Sequence, residues 1–198
     1  MFTGIIAYSG LFNGYRQGKK ELALEASALA GRLAVGDSLA VNGVCLSLIR
    51  IDGRLLVFNL SRETLDRTNL GSLRPGEELN LELPLTLATP LSGHLVSGHV
   101  DFKARLLRAA PRKPGKRLTF SLPREFRPYF IPKGSVAVNG VSLTVAALNP
   151  AAFEVEIIPI TLEKSNLRRL KAGDEVNIEC DMVGKYVYNW ITRTNKKD

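Results

Sequence analysis

The sequence contains few cysteines and histidines. Among its 198 residues there are only two of each. Two cysteines cannot form a disulfide framework, and their scarcity favours a reducing compartment, so we expect a cytoplasmic protein. The two histidines have no cluster of cysteines or acidic residues around them to complete a metal site. The sequence therefore excludes a disulfide-stabilised scaffold and argues against a metalloprotein.

Long hydrophobic runs are also missing. No apolar stretch approaches the roughly 20 residues that a transmembrane helix requires. Residues 1–6 lack the basic segment before an apolar one that marks a secretory signal. However, 45% of the residues are hydrophobic, and a chain of this length buries roughly 70% of its unfolded surface. We therefore expect a folded globular protein without a membrane partner.

Aromatic residues are absent where positive charge is densest. The net charge is +8, and the excess lies in Arg105–Arg117 and in the tail at Lys196 and Lys197. Nucleic-acid surfaces combine basic with aromatic side chains, and the first stretch contains no aromatic residue. Its Pro114 and Gly115 indicate a solvated hairpin tip instead. We therefore expect no nucleic-acid partner.

The most informative feature that is present is a duplication. Residues 38–47 read SLAVNGVCLS and residues 135–144 read SVAVNGVSLT, with numbers that differ by 97. The same spacing relates 36–85 to 133–182 without a gap, and roughly a third of the aligned positions are identical, which indicates a true repeat. The unit is too long for a solenoid repeat. We therefore predict two similar small domains.

Short strand patterns dominate both copies. Segments rich in Val, Ile and Leu and bounded by Gly, Pro or Asn predict strands. They cover Ser38–Ile49, Leu55–Leu60, Leu79–Leu83, Leu118–Leu122, Ser135–Val145, Phe153–Ile158 and Val176–Cys180. Asp52-Gly53 and Asn149-Pro150 predict hairpin turns at matching places. Many short strands in about 90 residues are typical of a closed or sandwich-like β domain.

Helical patterns are fewer. Each copy has one short helical segment, and an alanine-rich stretch adds a third; they cover Glu63–Leu70, Leu162–Leu170 and Glu21–Leu33. Ser61 and Thr161 are the expected N-caps of the first two helices. The pattern is interrupted at 86–92, where we place the domain boundary.

The C-terminal segment lies outside the repeat. Apolar residues recur there at helical spacing and predict a short amphipathic helix; they are Val183, Tyr186, Val187, Trp190 and Ile191. Its apolar stripe either packs on the neighbouring domain or mediates self-association. An isolated helix of this length is only marginally stable, and the pattern leaves both alternatives open.

Polar pairs in the repeated motif are the strongest candidates for chemistry. Cys45 and Ser47 in the first copy correspond to Ser142 and Thr144 in the second. Residues two apart on a strand project from the same face. Such hydroxyls could merely satisfy backbone groups at a barrel rim. Because the polar spacing recurs in both copies, we favour two matched ligand sites.

His94 and His99 lie in a glycine-rich segment. A spacing of five on a strand would place them on opposite faces, which argues against a shared metal. Flanking glycines allow a ligand to approach, and histidine is the natural proton shuttle near neutral pH. Lys133 and Asp181 are charges without a counterpart in the first copy. Such asymmetric residues predict that the two sites have different roles.

Six longer motifs occur in order along the whole chain. They are MFTGI at 1–5, NGVCLS at 42–47, ETLDRTNLG at 63–71, GHLVSGHVD at 93–101, KGSVAVNGVSLT at 133–144 and NIECD at 177–181. Together they resemble the riboflavin synthases of the alpha-chain type. The resemblance implies an all-β fold of two similar six-stranded antiparallel Greek-key barrels from an internal duplication, plus a C-terminal α-helix. It implies barrels over 1–90 and 91–183 and an oligomerisation helix and tail over 184–198.

The resemblance also implies a reaction and partners. Two molecules of 6,7-dimethyl-8-ribityllumazine would undergo dismutation, one giving a four-carbon unit to the other, to yield riboflavin and a diaminopyrimidine. No metal or redox cofactor is implied. The chain would form a homotrimer through its C-terminal helix. Each site would combine the N-terminal barrel of one chain with the C-terminal barrel of its neighbour, and an association with lumazine synthase is left open.

Site residues follow from the same resemblance. Positions linked with turnover match Phe2, Ser38, Cys45, His94, His99, Ser142 and Asp181. The first lumazine pocket would be lined by Gly4, Ile5, Ile6, Cys45, Leu46, Ser47, Asn59, Leu60, Ser61, Arg62, Glu63 and Thr64. The second would be lined by Gly98, His99, Val100, Ser142, Leu143, Thr144, Glu156, Ile157, Ile158, Pro159, Ile160 and Thr161, with Lys133 reaching across the interface. Asn139 stands where the family often has Asp, so a carboxylate is expected to be missing from the second site.

A non-catalytic lumazine- or flavin-binding relative, such as a carrier or a light-emitting accessory protein, is the main alternative. Such a relative would be expected to keep one pocket and lose the other. Here both polar pairs, both histidines and Asp181 are present. We therefore favour the enzyme.

Overall fold

The computed structural model describes residues 1–194, and in it each repeat forms a closed six-stranded antiparallel barrel. The first barrel contains β1 (Tyr8–Arg16), β2 (Glu21–Glu25), β3 (Ser38–Val41), β4 (Val44–Asp52), β5 (Leu55–Asn59) and β6 (Glu78–Glu82). The second contains β7 (Phe102–Arg112), β8 (Gly115–Ser121), β9 (Ser135–Val138), β10 (Val141–Asn149), β11 (Ala152–Ile157) and β12 (Glu175–Cys180). The strands follow one another around the barrels in the orders β1-β2-β5-β4-β3-β6 and β10-β11-β8-β7-β12-β9. This architecture confirms the predicted double barrel.

Each barrel has its own apolar core, built by alternation along the strands. In β4, Val44, Leu46 and Leu48 are buried, whereas Cys45 is half-buried and Ser47 is exposed. The same alternation occurs in β10. Because side chains alternate across a strand, the apolar set fills the barrel and the polar pair faces outward.

The repeated motif is a hairpin, and not the single strand predicted over Ser38–Ile49 and over Ser135–Val145. Asn42 and Gly43 have φ angles of 46° and 78° and connect β3 to β4. Two successive residues with positive φ define the tight turn whose twist matches antiparallel strands, and Asn-Gly is its preferred sequence. Asn139-Gly140 makes the same turn between β9 and β10.

The helix predicted over Glu21–Leu33 is wrong. Residues 21–25 form β2, which is paired with β1 on one side and β5 on the other, and Ser27–Leu29 is a single 3₁₀ turn. Residues 21–24 are all buried. Strand pairing on both sides and burial outweigh the intrinsic helix propensity of alanine, because tertiary contacts override local propensity.

The two short helices inside the repeats are present. α1 (Arg62–Arg67) begins after Ser61, whose Oγ accepts a hydrogen bond from Thr64 N at 3.0 Å, as predicted. α2 (Pro159–Lys164) begins after Ile158, so the predicted cap Thr161 is wrong. Proline at the start of a helix needs no hydrogen-bond partner and sets the first φ, which explains the earlier start.

The C-terminal helix α3 (Met182–Thr194) presents its apolar stripe to solvent. The exposed fractions of Val183, Tyr186, Val187, Trp190 and Ile191 are 61%, 75%, 52%, 73% and 50%. The stripe therefore does not pack on the adjacent barrel, which removes one of the two alternatives. No helix within residues 1–194 has the length and apolar character needed to cross a membrane. Lys196 and Lys197 lie outside the described residues.

The barrels meet where the two Asn-Gly turns touch. A Cβ atom added to Gly43 would lie 2.6 Å from Gly140 N, and one added to Gly140 would lie 2.7 Å from Gly43 N. Around this contact, six buried asparagines from both repeats bond to one another or to the opposite backbone. They are Asn42, Asn69, Asn80, Asn139, Asn166 and Asn177. Buried polar groups that are hydrogen-bonded across the junction in this way hold the two barrels in one relative position.

This network changes the interpretation of Asn139. Its Oδ1 accepts hydrogen bonds from Asn177 N at 2.8 Å and from the Asn69 amide at 3.2 Å, and only 2% of the residue is exposed. The expectation that it leaves a ligand site without a carboxylate is wrong, because Asn139 lies between the barrels. Its amide matches Asn42 of the first copy, whose Oδ1 accepts the corresponding bonds from Asn80 N and the Asn166 amide.

We expect Gly43→Ala to destabilise the protein far more than Gly53→Ala. Both positions have positive φ, but nothing lies within 4 Å of a Cβ at Gly53. The left-handed backbone costs alanine about 1–2 kcal/mol at either site, and overpacking against the second turn adds about 1–3 kcal/mol at Gly43 only. Urea unfolding of both variants measures the difference. Equal losses would contradict the contact between the turns.

Candidate functional site

Two matched patches lie on the outer surfaces of the barrels. The first patch surrounds Cys45 and Ser47; β3 brings Ser38 opposite Ser47, and the Leu48–Phe58 pair places Asn59 beside it. The outward polar pair confirms the predicted common face.

The second patch surrounds Ser142 and Thr144. Ser135 lies opposite Thr144, and the Val145–Val155 pair places Glu156 beside it. Each patch therefore combines hydroxyl or thiol groups from one strand with polar groups from its two neighbours.

Each patch is completed by a chain segment that belongs to the other repeat. The N-terminal arm (residues 2–6) and the central arm (residues 96–100) are joined by Phe2 N to Val96 O at 2.7 Å and Val96 N to Phe2 O at 3.1 Å. Ser142 N donates to Gly4 O at 2.8 Å, and Cys45 N donates to Gly98 O at 2.8 Å.

The apolar ends of the arms follow the same exchange. Ile6 belongs to the core of the second barrel, and Val100 packs against the core of the first. The expected grouping, with residues 4–6 in the first pocket and residues 98–100 in the second, is therefore wrong. The arms are exchanged, because each crosses the junction between the barrels and pairs with the far strand.

A buried glutamate holds each arm. Glu82 Oε1 accepts hydrogen bonds from Thr3 N and Thr3 Oγ1, and its Oε2 accepts one from Gly4 N. Burial raises the pKa of Glu82, and the donors on Thr3 and Gly4 oppose this rise. Glu179 makes the corresponding bonds to Ser97 and Gly98. Neither glutamate was predicted, although Thr3-Gly4 and Ser97-Gly98 recur in the sequence together with Glu82 and Glu179.

His94 and Ser142 are in contact at the second patch. His94 Nδ1 lies 2.7 Å from Ser142 Oγ, and the His94 backbone N–H donates to Thr3 O. Burial lowers the pKa of His94 from its ordinary value of 6.5, and the nearby Asp181 carboxylate opposes this shift. Its buried Nε2 has no hydrogen-bond partner among the described residues. The structure therefore brings three predicted residues, His94, Ser142 and Asp181, to one place.

The two histidines do not lie on a strand, so the predicted separation on opposite strand faces is wrong. They belong to an irregular segment, in which only Val96 makes an isolated bridge. His99 is exposed and follows Gly98, which bonds to Cys45. Thus His94 lies at the second patch and His99 at the first.

Several other predicted site residues have buried side chains. Phe2 is fully buried among Ala40, Val96 and Ala137, so its side chain offers no surface to a ligand. Five side chains expected in the pockets are buried in the barrel cores, with exposed fractions of 7%, 4%, 6%, 8% and 1%; they are Ile6, Leu46, Leu60, Leu143 and Ile157. Only their backbone can contribute to a binding surface.

The rims of the patches differ in polarity. Ser61, Arg62 and Glu63 are exposed beside the first patch, whereas Ile158, Pro159 and Ile160 are exposed beside the second. Thr64 and Thr161 are half-buried at these rims.

Charges also distinguish the second patch. Glu156 accepts a hydrogen bond from Arg117 Nε at 3.1 Å, which is the main cause of its lowered pKa, and the exposed Lys133 contributes to that shift. Asp181 accepts a hydrogen bond from Val183 N at the start of α3. The duplicated patches therefore differ in their surroundings.

One sizeable cavity lies away from the patches. A groove of about 710 Å³ runs between the barrels, with Asn42 and Asn139 among its lining residues, and it contains none of the predicted site residues. At the patches, Ser47 and Thr144 are exposed, whereas Cys45 and Ser142 are half-buried. Within residues 1–194, no group of three or more His, Cys, Asp or Glu side chains is placed to hold a metal ion.

Comparison with known proteins identifies similar sequences along the whole chain. The lumazine binding domain model matches residues 3–84 and 97–181. The riboflavin synthase of Mycobacterium tuberculosis is 38% identical over 199 residues, which cover 94% of this chain and 96% of that protein. The riboflavin synthase of Bacillus subtilis is 32% identical over 198 residues, which cover 99% and 92%.

Solved structures show the same fold. The crystal structure of LumP complexed with riboflavin superposes with a TM-score of 0.82 at 19% identity, over 91% of this chain and 99% of that chain. LumP complexed with 6,7-dimethyl-8-(1'-D-ribityl) lumazine superposes with a TM-score of 0.80 at 19% identity, over 90% and 98%. At this identity the likeness concerns the fold alone.

Proposed function

This chain belongs to the riboflavin synthase family of lumazine-binding proteins, and we propose from this premise that it catalyses dismutation of 6,7-dimethyl-8-ribityllumazine. One lumazine gives a four-carbon unit to another, which yields riboflavin and 5-amino-6-ribitylamino-pyrimidinedione. The two products together contain all atoms of the two substrates, so the reaction balances without an oxidant, a reductant or any other reactant. One observation carries the proposal. The chain has two matched patches, and each combines an outward polar pair with the N-terminal or the central arm.

We propose that the two patches bind one lumazine each. The outward side chains of β4 and β10 provide hydrogen-bonding groups, and the arms bring backbone close to them. Gly4 could not carry a side chain there, because an added Cβ would lie 2.7 Å from Ser142 Cβ. At Gly98 an added Cβ would lie 2.5 Å from Cys45 Cβ.

At the second patch we propose that His94 moves a proton. Its lowered pKa keeps the imidazole neutral near pH 7, and a neutral imidazole can accept a proton from the methyl group of a lumazine. The hydrogen bond with Ser142 orients the ring. The carboxylate of Asp181 stabilises the imidazolium that forms, which is the direction of its effect on the His94 pKa.

At the first patch we propose that Cys45, Ser47 and Ser38 contact the second lumazine, with His99 at the tip of the central arm. Thiol and hydroxyl groups can add to an electron-poor ring or hydrogen-bond its carbonyl groups. Holding two rings in register accounts for much of the acceleration, because effective molarities in good geometry reach roughly 10⁵–10⁸ M.

We further propose that the reacting pair of patches comes from neighbouring chains of a homotrimer. The five stripe residues of α3 are each at least half exposed, so within residues 1–194 the helix presents an apolar face to solvent. Lys133 is exposed beside the second patch, where it could reach a neighbouring chain. The domain limits 1–90, 91–183 and 184–198, a cytoplasmic location and an association with lumazine synthase stay predictions.

Incubation of the purified protein with 6,7-dimethyl-8-ribityllumazine alone tests the activity. We expect riboflavin to appear at half the rate at which lumazine disappears, because two substrates give one riboflavin. Absorbance and chromatography measure both compounds. Bound but unchanged lumazine would contradict this proposal and favour the second candidate, a non-catalytic carrier, which would share the fold of the LumP complexes.

A further inference from the structure

We propose that Glu82 and Glu179 are positioning residues that act across the barrels. Each glutamate belongs to one barrel and holds the arm that completes the patch on the other. The inference rests on the proposed function, because it concerns the two lumazine patches described above. It assigns a role to two residues whose carboxylates bond to the backbone of the arms.

Glu82 binds the N-terminal arm, which completes the second patch. It lies on β6 of the first barrel and is 6% exposed. Thr3 N and Thr3 Oγ1 donate to Oε1 at 2.7 and 2.6 Å, and Gly4 N donates to Oε2 at 3.0 Å. The carbonyl of the same Gly4 accepts the hydrogen bond from Ser142 N in the second barrel. The carboxylate is therefore connected to the second patch through a single residue.

Glu179 binds the central arm, which completes the first patch, in the same way. It lies on β12 of the second barrel and is 3% exposed. Ser97 N and Ser97 Oγ donate to Oε1 at 2.6 and 2.7 Å, and Gly98 N donates to Oε2 at 2.9 Å. Gly98 O accepts the hydrogen bond from Cys45 N in the first barrel.

The hydrogen bonds around each glutamate continue one residue further, to the exposed residue at the tip of each arm. Ile5 N donates to Thr3 Oγ1 at 3.1 Å, and His99 N donates to Ser97 Oγ at 3.2 Å. The hydroxyl that donates to the carboxylate thus also accepts from the tip residue. Fixing the carboxylate therefore fixes the backbone that carries Ile5 beside the second patch and His99 beside the first.

A carboxylate is required because both of its oxygens accept hydrogen bonds. In Glu82→Gln or Glu179→Gln one oxygen becomes an amide NH₂, which is a donor and would face an N–H or O–H donor of the arm. Burying a donor without an acceptor is unfavourable, so the arm would leave its position. The shape of the side chain is otherwise unchanged.

Crossed effects distinguish positioning from simple support of a barrel. If Glu82 only stabilised its own barrel, its loss would perturb the first patch, around Cys45. If it positions the N-terminal arm, its loss perturbs the second patch, around Ser142, and leaves the first intact. Glu179 gives the opposite pattern.

The experiment compares Glu82→Gln and Glu179→Gln with Glu78→Gln and Glu175→Gln in the full-length protein. The control glutamates lie four residues earlier on the same strands and pair with Arg168 and Lys103. Neither control residue bonds to an arm. Amide hydrogen exchange at Ser142 and Cys45, read by NMR, reports on the arms without ligand. Titration with riboflavin, followed through the amides of Thr144 and Ser47, reports binding at each patch.

We expect Glu82→Gln to accelerate exchange at Ser142 and to weaken riboflavin binding at Thr144 by roughly tenfold or more, the effect of losing hydrogen bonds to a charged group. In the same variant, the exchange rate at Cys45 and the riboflavin affinity measured at Ser47 should stay within about twofold of the wild-type values. Glu179→Gln should show the opposite pattern, with the large effects at Cys45 and Ser47. If riboflavin still binds, changes in exchange and affinity that are confined to the barrel carrying the substitution, or that are equal at both patches, would overturn the inference. Absence of riboflavin binding to the wild-type protein would instead overturn the proposed sites, and the inference with them.

Discussion

Deletion of residues 184–198 is expected to convert a homotrimer into monomers and to reduce riboflavin formation by at least about a thousandfold. The deletion removes four of the five stripe residues of α3, each of which is at least half exposed in the part of the chain that the structure describes. If the reacting lumazines lie on patches of neighbouring chains, monomers cannot hold two rings together and lose the effective molarity of roughly 10⁵ M or more that positioning provides. Lumazine binding to the separate patches should persist.

Light scattering and turnover measured on the same samples test this expectation. Trp190→Ala, on the stripe and 73% exposed, should weaken the trimer, whereas Asn189→Ala on the neighbouring exposed position should not. An unchanged trimer after the deletion would remove the role of α3 in assembly. Full activity of a proven monomer would show that the two patches of one chain suffice.

His94→Gln and Ser142→Ala are expected to lower kcat by about 10²–10⁴-fold, the usual contribution of general acid–base catalysis. Both remove the contact between His94 Nδ1 and Ser142 Oγ, but neither removes an apolar core residue. Riboflavin binding should therefore change much less than turnover. Ser27→Ala, an exposed serine in the 3₁₀ turn of the first barrel, is the matched control and should have no effect on kcat.

The pH profile tests the role of His94 separately. Burial lowers the His94 pKa below 6.5, so the imidazole is neutral at and above pH 7 and becomes protonated only at lower pH. If the neutral form accepts the substrate proton, kcat of the wild-type protein is constant near neutrality and falls as the pH decreases through the lowered pKa. This fall should disappear in His94→Gln. An identical acidic limb in the variant would show that another group titrates there.

Local patterns predicted much of the fold because they depend only on neighbouring residues. Alternation placed Cys45 and Ser47 on one strand face and their apolar neighbours on the other, and Ser61 before α1 has the residue type of an N-cap. The Asn42-Gly43 dipeptide favours a tight hairpin, but the continuous apolar pattern around it favours a single strand, and the structure forms the hairpin. The pattern at Glu21–Leu33 failed because β1 and β5 decide its conformation.

The candidate site was predicted residue by residue, but its assembly was not. The sequence identified His94, Ser142 and Asp181 without showing that they meet. It also assigned the arms to the wrong barrels, because nothing in the spacing of Gly4 and Gly98 states which strand their carbonyls contact. Glu82 and Glu179 were missed for the same reason, since their partners lie 79 and 82 residues away in the chain.

By itself, the sequence determined that this protein consists of two copies of one β domain, that each copy carries a polar pair on one strand face, and that an amphipathic helix follows them. These properties are encoded in the repeat and in the period of the apolar residues. Only the tertiary structure decided that the arms cross between the barrels, that Asn139 joins the barrels rather than a ligand, and that His94 lies against Ser142. Each of these depends on hydrogen bonds between residues far apart in the chain, whose directions are set when the two barrels pack.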